Sequence, residues 1–285
     1  MDALIVLMFA LFGLVWGSFC NALASRMPLE ESMAGRSRCP RCRHALAAHD
    51  LVPLVSYLLL LGRCRYCRHP ISPRYPVVEL ASAVLFVQTY IHIGPRPLAL
   101  LLYLSYATVV LLVAVIDFEH TIIPNRVVVP GMVLAFAAAL LSIDPTGPSP
   151  VESLIGGVVG AAVFLLLHVL TAGRGMGMGD VKFALFMGLA LGPLRLLPAV
   201  LCAALLSLVF AGVVMLGYRR ELSALKSVDL DHGDDMEDMV IPDRIWGMIV
   251  IDGRPALPFG PFLAAGLWLS LLWGDVAVGW WLGLW

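Results

Sequence analysis

Apolar runs of about twenty residues, nearly free of charge, recur along this chain and constrain its fold more than any other feature. They cover residues 3–24, 77–93, 97–116, 127–143, 153–172, 181–194, 196–217 and 256–274. A helix rises 1.5 Å per residue, so about 20 residues cross the hydrocarbon core of a bilayer. Backbone groups in lipid must be bonded within their own segment, which makes such runs helical. The expectation is an all-α, polytopic membrane bundle of about eight transmembrane helices. Composition agrees: the chain is 60% hydrophobic and 14% charged, against roughly half and a quarter in soluble proteins. The first run follows Asp2 rather than a basic segment and is long for a signal peptide, so it reads as a retained span.

Basic residues set the expected orientation, because cytoplasmic loops are enriched in Lys and Arg. With eight spans and the N-terminus outside, seventeen of the nineteen lie in inside loops, and Arg96 and Arg195 lie outside. If the short run 181–194 did not cross, the basic residues of loop 218–255 would move outside, so it is counted as a span. Gly156, Gly157 and Gly160 either allow close helix packing or are ordinary membrane glycines. Trp273, Trp280, Trp281 and Trp285 read as an outer interfacial belt. A net charge of −1 carries no basic excess, and no nucleic-acid partner is expected.

The expected organisation is a first transmembrane helix in residues 1–26, a basic cytoplasmic module in 27–76, and a transmembrane domain in 77–285 with a cytoplasmic loop at 218–255. That loop holds Asp229, Asp231, Asp234, Asp235, Glu237 and Asp238, which reads as a solvated stretch, a cation site or an attractor for a basic segment. A hairpin is expected around Asp252-Gly253. No sequence repeat is expected.

Cys39-Pro-Arg-Cys42 and Cys64-Arg-Tyr-Cys67 form two Cys-x-x-Cys pairs separated by 21 residues. Two thiolates in a tight turn hold one metal, and two such turns complete a tetrahedral site. Soft ligands at this spacing favour zinc. The alternative, disulfides, conflicts with a cytosolic placement. Four cysteines leave no open position, so the zinc is expected to be structural, a staple for a module too small for a core of its own. Cys20 and Cys202 sit in apolar runs as small hydrophobes.

Asp117 follows an uncharged span, and Asp180 opens the next-but-two, inside Gly175-Met-Gly-Met-Gly179-Asp180. Both are expected at the cytoplasmic edge of the membrane, where ionisable groups mark a site. Two close carboxylates do not both ionise easily, so one serves as base and the other as acid in peptide hydrolysis. Gly175, Gly177 and Gly179 are expected to adopt conformations closed to other residues and to let an extended peptide approach. Asp180 also suits a helix N-cap, and Asp117 an interfacial acid ending a span. His120 either tunes the pair or is a loop side chain. Lys182 either biases Asp180 or extends to the headgroups.

Gly177-x-Gly179-Asp180 is the GxGD pattern of intramembrane-type aspartyl proteases. Ile116 to Asn125, Gly175 to Lys182, Gly17-Ser-Phe-Cys-Asn21, the cysteine pairs, Arg74 to Glu79 and Pro258-Phe-Gly-Pro261 resemble, in order, the segments of bacterial type IV prepilin peptidases. Cys20 stands where leucine is usual, and Asn125 where aspartate is common. The resemblance implies a membrane peptidase of the bacterial inner membrane that cuts leaders of prepilins and pseudopilins after glycine, on the cytoplasmic side. It implies Asp117 and Asp180 as the protease aspartates. It also implies N-methylation of the new terminus with S-adenosylmethionine, associated with the N-terminal region. No Gly-x-Gly-x-x-Gly loop follows a strand, so cofactor contacts are sought in Asn21, Arg26, Arg74 and Glu79. Other readings are a peptidase without methyltransferase activity, an ion- or proton-coupled transporter using the two aspartates, and a non-catalytic zinc-containing assembly protein.

Overall fold

A computed structural model describes residues 3–30, 32, 35–173, 175–229, 244–245, 248–251, 254–256, 258–281 and 283; for 218–229 and 244–256 it describes the backbone alone. The acidic residues from Asp231 to Asp238, the turn Asp252-Gly253 and Trp285 lie outside the described residues.

The helices are α1 (Ala3–Arg26), the short α2 (Val55–Leu59), α3 (Arg74–Ile93), α4 (Pro97–His120), α5 (Asn125–Leu140), α6 (Pro150–Leu170), α7 (Met178–Asp229) and α8 (Gly260–Trp281). Among the described residues six helices are long and apolar enough to cross a membrane, Met178–Gly217 counting as one, and α5 is shorter with 16 residues. Forty residues of unbroken helix would span about 60 Å, twice a bilayer core. The stretch turns at Gly192, whose φ of 72° and ψ of 176° interrupt the helix in a region essentially reserved for glycine. Pro193 follows. Divided there, and with α5 included, the described residues give the bundle eight helical segments, as expected, but the break falls at Gly192 rather than Arg195.

Local chemistry sets the helix ends. Pro97 opens α4 at a position where a missing N–H is harmless. Ser149 and Glu152 form a reciprocal cap on α6. Contrary to the expected end at 116, α4 continues through its last turn to His120, because no proline intervenes before Pro124. Thr121 then takes a left-handed conformation and returns its N–H to the Asp117 carbonyl at 2.8 Å.

The most buried element is α4, which packs against α3, α5 and α8. Glycines bring α6 onto α7: a Cβ on Gly188 would lie 2.0 Å from the Gly156 carbonyl oxygen, and one on Gly160 would lie 2.6 Å from that of Ala184. Of the two readings of these glycines, close packing is the one realised. At the end of the bundle away from Asp117, Arg96 and Tyr103 bond to Asp144, and Arg195 bonds to Asp275 and to the Thr146 carbonyl.

Between α1 and α3 the insert contains two copies of one turn. Arg38 bridges Ala45 while Arg63 bridges Pro70. The Cys39 N–H donates to the His44 carbonyl as that of Cys64 does to His69, and Arg43 and Arg68 share left-handed φ values of 57° and 58°. The sequence does carry a repeat, Arg38-Cys-Pro-Arg-Cys-Arg-His44 against Arg63-Cys-Arg-Tyr-Cys-Arg-His69; it was hidden because the two copies are short and share only their chemistry-bearing positions. A small antiparallel sheet, β1 (Arg244–Ile245), β2 (Met248–Ile251) and β3 (Arg254–Ala256), contains the expected hairpin, with Ile251 paired to Arg254.

Candidate active site

Two carboxylates from separate helices meet at one end of the bundle. Asp117, in the last turn of α4, is only 6% exposed. Its Oδ2 accepts the Gly260 N–H at 2.9 Å. Gly260 opens α8, where the first N–H groups of a helix lack intrahelical partners, so Asp117 completes that end. A Cβ at position 260 would lie 2.6 Å from the same oxygen.

Asp180 lies in the first turn of α7, half-buried. Its Oδ2 accepts the Gly177 N–H at 3.1 Å, and its own N–H donates to the Gly177 carbonyl at 3.1 Å. Asp180 is therefore not the N-cap expected from sequence: Gly177 is at the cap, and Asp180, the third helical residue, reaches back to it. The two carboxylates interact electrostatically.

The glycines before Asp180 work differently from expectation. None of Gly175, Gly177 and Gly179 has positive φ; in this loop Ala172 and Gly173 do, at 49° and 73°. Gly179 instead allows close approach, because a Cβ there would sit 3.0 Å from the Ile123 Cβ. That contact lays the start of α7 on the segment following Asp117 and so brings the aspartates together. A Cβ on Gly177 would make only ordinary contacts, with the Asp180 Oδ2 at 3.5 Å and the Gly179 nitrogen at 3.8 Å. Sequence reasoning passed over His168, whose Nδ1 lies 2.7 Å from the Met176 carbonyl oxygen. Lys182 donates to Asn125 at 3.0 Å, and His120 faces Glu119 at 3.8 Å.

Three of the four residues sought for cofactor contact are gathered where α1, α3 and α4 meet. Arg74 donates to the Asn21 side chain and carbonyl, to Ser25 and to Glu119, two residues beyond Asp117. Asn21 donates to the Tyr75 carbonyl. Glu79 accepts the Leu54 N–H at 2.9 Å and interacts with Ser18. Leu54 is the centre of a tight three-residue turn, with the Val55 N–H on the Pro53 carbonyl. Arg26 donates to the Gly35 carbonyl at 3.4 Å.

The sulfurs of Cys39, Cys42, Cys64 and Cys67 all lie within 4.8 Å of one another, those of Cys39 and Cys67 at 3.8 Å. Zinc–sulfur bonds of about 2.3 Å in a tetrahedron put sulfurs about 3.8 Å apart, so the donor set fits a metal. Burial opposes ionisation of Cys39, but the N–H groups of Cys42 and Arg41 outweigh it and bring the thiol down to about 7. The His69 N–H favours a Cys67 thiolate, yet desolvation and the neighbouring sulfurs push it up to about 11. Mutual repulsion of this kind is what a dication relieves. Beside the cluster, burial of Asp50 is outweighed by hydrogen bonds from Arg65 and the Ala47 N–H, which lower its carboxyl.

Two family models match: Bacterial Peptidase A24 N-terminal domain over residues 11–93, and Type IV leader peptidase family over 104–212. The chain is 32% identical to a prepilin leader peptidase/N-methyltransferase of Bacillus subtilis, covering 93% of each chain. It is 30% identical to one of Pseudomonas aeruginosa, covering 95% of this chain and 91% of the other. Identity to one of Myxococcus xanthus is 36%, over 73% and 64%. No solved structure matches. With one family model spanning the cysteine module, a second spanning both aspartates, and relatives alike over nearly the whole length, this multi-pass membrane protein belongs to the type IV leader peptidase family.

Proposed function

We propose that this chain is an aspartyl endopeptidase that removes the leader from prepilins and pseudopilins after glycine and N-methylates the new terminus from S-adenosylmethionine. The observation that carries the peptidase reading is the pair Asp117 and Asp180, each held through one oxygen by a backbone N–H. These N–H groups orient both carboxylates, while like charge disfavours ionising both, so the pair holds one proton. The ionised member takes a proton from water as the water oxygen bonds to the scissile carbonyl carbon. The protonated member donates to the carbonyl oxygen. When the carbon–nitrogen bond breaks, the amine leaves with a proton from the pair. The substrate's apolar stalk enters as a helix, and its unwound leader passes Gly177, where no side chain stands between it and Asp180.

The cysteine cluster is proposed to hold zinc through Cys39, Cys42, Cys64 and Cys67. Bound there, the ion staples the insert and leaves no position for substrate. The residues sought for the methyl donor fit less well. The polar atoms of Asn21, Arg74 and Glu79 are taken up by one another and by the backbone. They serve as framework, and methylation rests on the names of the relatives. The peptidase-only reading draws on the same observation. The aspartate end is assigned to the cytoplasmic face of the bacterial inner membrane, because Arg74, Arg126 and Lys182 lie at that end and Arg96 and Arg195 at the other.

The test is intact mass spectrometry of a prepilin incubated with the full-length protein and S-adenosylmethionine. The expected product lacks its leader and carries the mass of one methyl group. Cleavage without that gain leaves a peptidase only, and an uncut prepilin overturns the proposal.

A further inference from the structure

His168 stands in the last turn of α6, half-buried, facing the loop that leads to Asp180. Its Nδ1 lies 2.7 Å from the Met176 carbonyl oxygen. A carbonyl oxygen only accepts, so Nδ1 carries the proton in the neutral ring and in the cation alike. The same peptide group, at its other end, donates the Gly177 N–H to the Asp180 Oδ2 at 3.1 Å. One planar unit thus runs from imidazole to carboxylate. The seat for the ring is formed by Gly173, at φ +73°, where a Cβ would come within 3.3 Å of the His168 Cε1. Gly173 also returns its N–H to the His168 carbonyl at 2.8 Å.

We propose that His168 is a positioning residue for Asp180, acting through the Met176–Gly177 peptide. The inference rests on Asp180 being one of the reacting carboxylates. Gly175 and Gly177 flank Met176 without side chains; the Met176 side chain packs on the core and the Gly177 carbonyl accepts the Asp180 N–H, and the bond from His168 is the one made to the carbonyl of this peptide. By holding the carbonyl, His168 sets the peptide plane and aims the N–H at Asp180. Hydrogen bonds in series also polarise one another, by about 10–30% per bond in condensed-phase estimates. Without the imidazole the N–H swings away and Asp180 loses its bearing on Asp117.

The test compares leader cleavage by wild type, His168→Leu, His168→Asn and Asp180→Asn in the full-length protein. Leucine fills the seat without a donor; the asparagine Nδ2 sits near the position of Nδ1 and donates. For His168→Leu the expected result is a kcat about 10- to 100-fold lower with KM within about twofold of wild type, since His168 does not touch substrate. His168→Asn recovers most of that loss. An unchanged kcat in His168→Leu, an effect on KM alone, or equal loss in both His168 variants overturns the proposal. Wild-type cleavage by Asp180→Asn overturns instead the reading of Asp180 on which it rests.

Discussion

Gly260 donates its N–H to Asp117 and leaves no room for a side chain: an added Cβ would meet Oδ2 at 2.6 Å and the carboxyl carbon at 2.9 Å. Asp117 would have to turn away from Asp180. Gly260→Ala is expected to lower kcat for leader cleavage about 10- to 100-fold, the scale set by ångström-sized misplacement of a reacting group. Steady-state kinetics checks this, and wild-type turnover would show that Asp117 does not need this seat. The carboxylates themselves were legible in the sequence, because an acid at the edge of an apolar run is rare. Their supports were not. Gly260 is 143 positions from Asp117, and no local pattern signals a backbone donor across that distance. Gly177, Gly179 and Asp180 were legible as a motif but misread as geometry. Gly179 serves proximity to Ile123, and Gly177 leaves the Asp180 carboxylate without a neighbouring side chain, where an unusual φ was expected.

At the scale of elements, the cysteine turns were readable because ligand spacing is local, and the gathering of four sulfurs within 4.8 Å of one another follows from it. Removing one ligand from a closed site removes most of the binding energy, and metal binding to such modules is coupled to their folding. Cys39→Ser is expected to purify without metal and to exchange amide hydrogens faster across 36–73, as read by elemental analysis and hydrogen exchange. Unchanged metal content would take Cys39 out of the ligand set. The helices were legible from apolar length, their boundaries less so. Hydropathy does not distinguish a lipid-facing residue from the last turn of α4, and the break in α7 depends on the φ of Gly192. The sequence offered Arg195 as the divider, but that side chain belongs to the ion pair with Asp275.

For the molecule as a whole, the pair α1–α3 is tied to the rest of the bundle at several depths. Trp16 donates to Thr108, Trp268 to Gln88, and Arg74 pairs with Glu119. The last tie links the N-terminal pair, and the insert between its helices, to the turn that carries Asp117. Of the residues expected to bind cofactor, Arg74 makes this joint and Asn21 holds Arg74; clustered polar residues at helix ends suit a joint and a ligand set alike. The central claim is that Asp117 and Asp180 work as one acid–base pair. Its most direct test is the cleavage rate of a prepilin by Asp117→Asn and Asp180→Asn, with methylation of a precleaved substrate measured alongside. Asparagine keeps the size but cannot cycle a proton. Each variant is predicted to lose at least about 10²-fold in cleavage while methylation persists; cleavage by either at the wild-type rate would contradict the account.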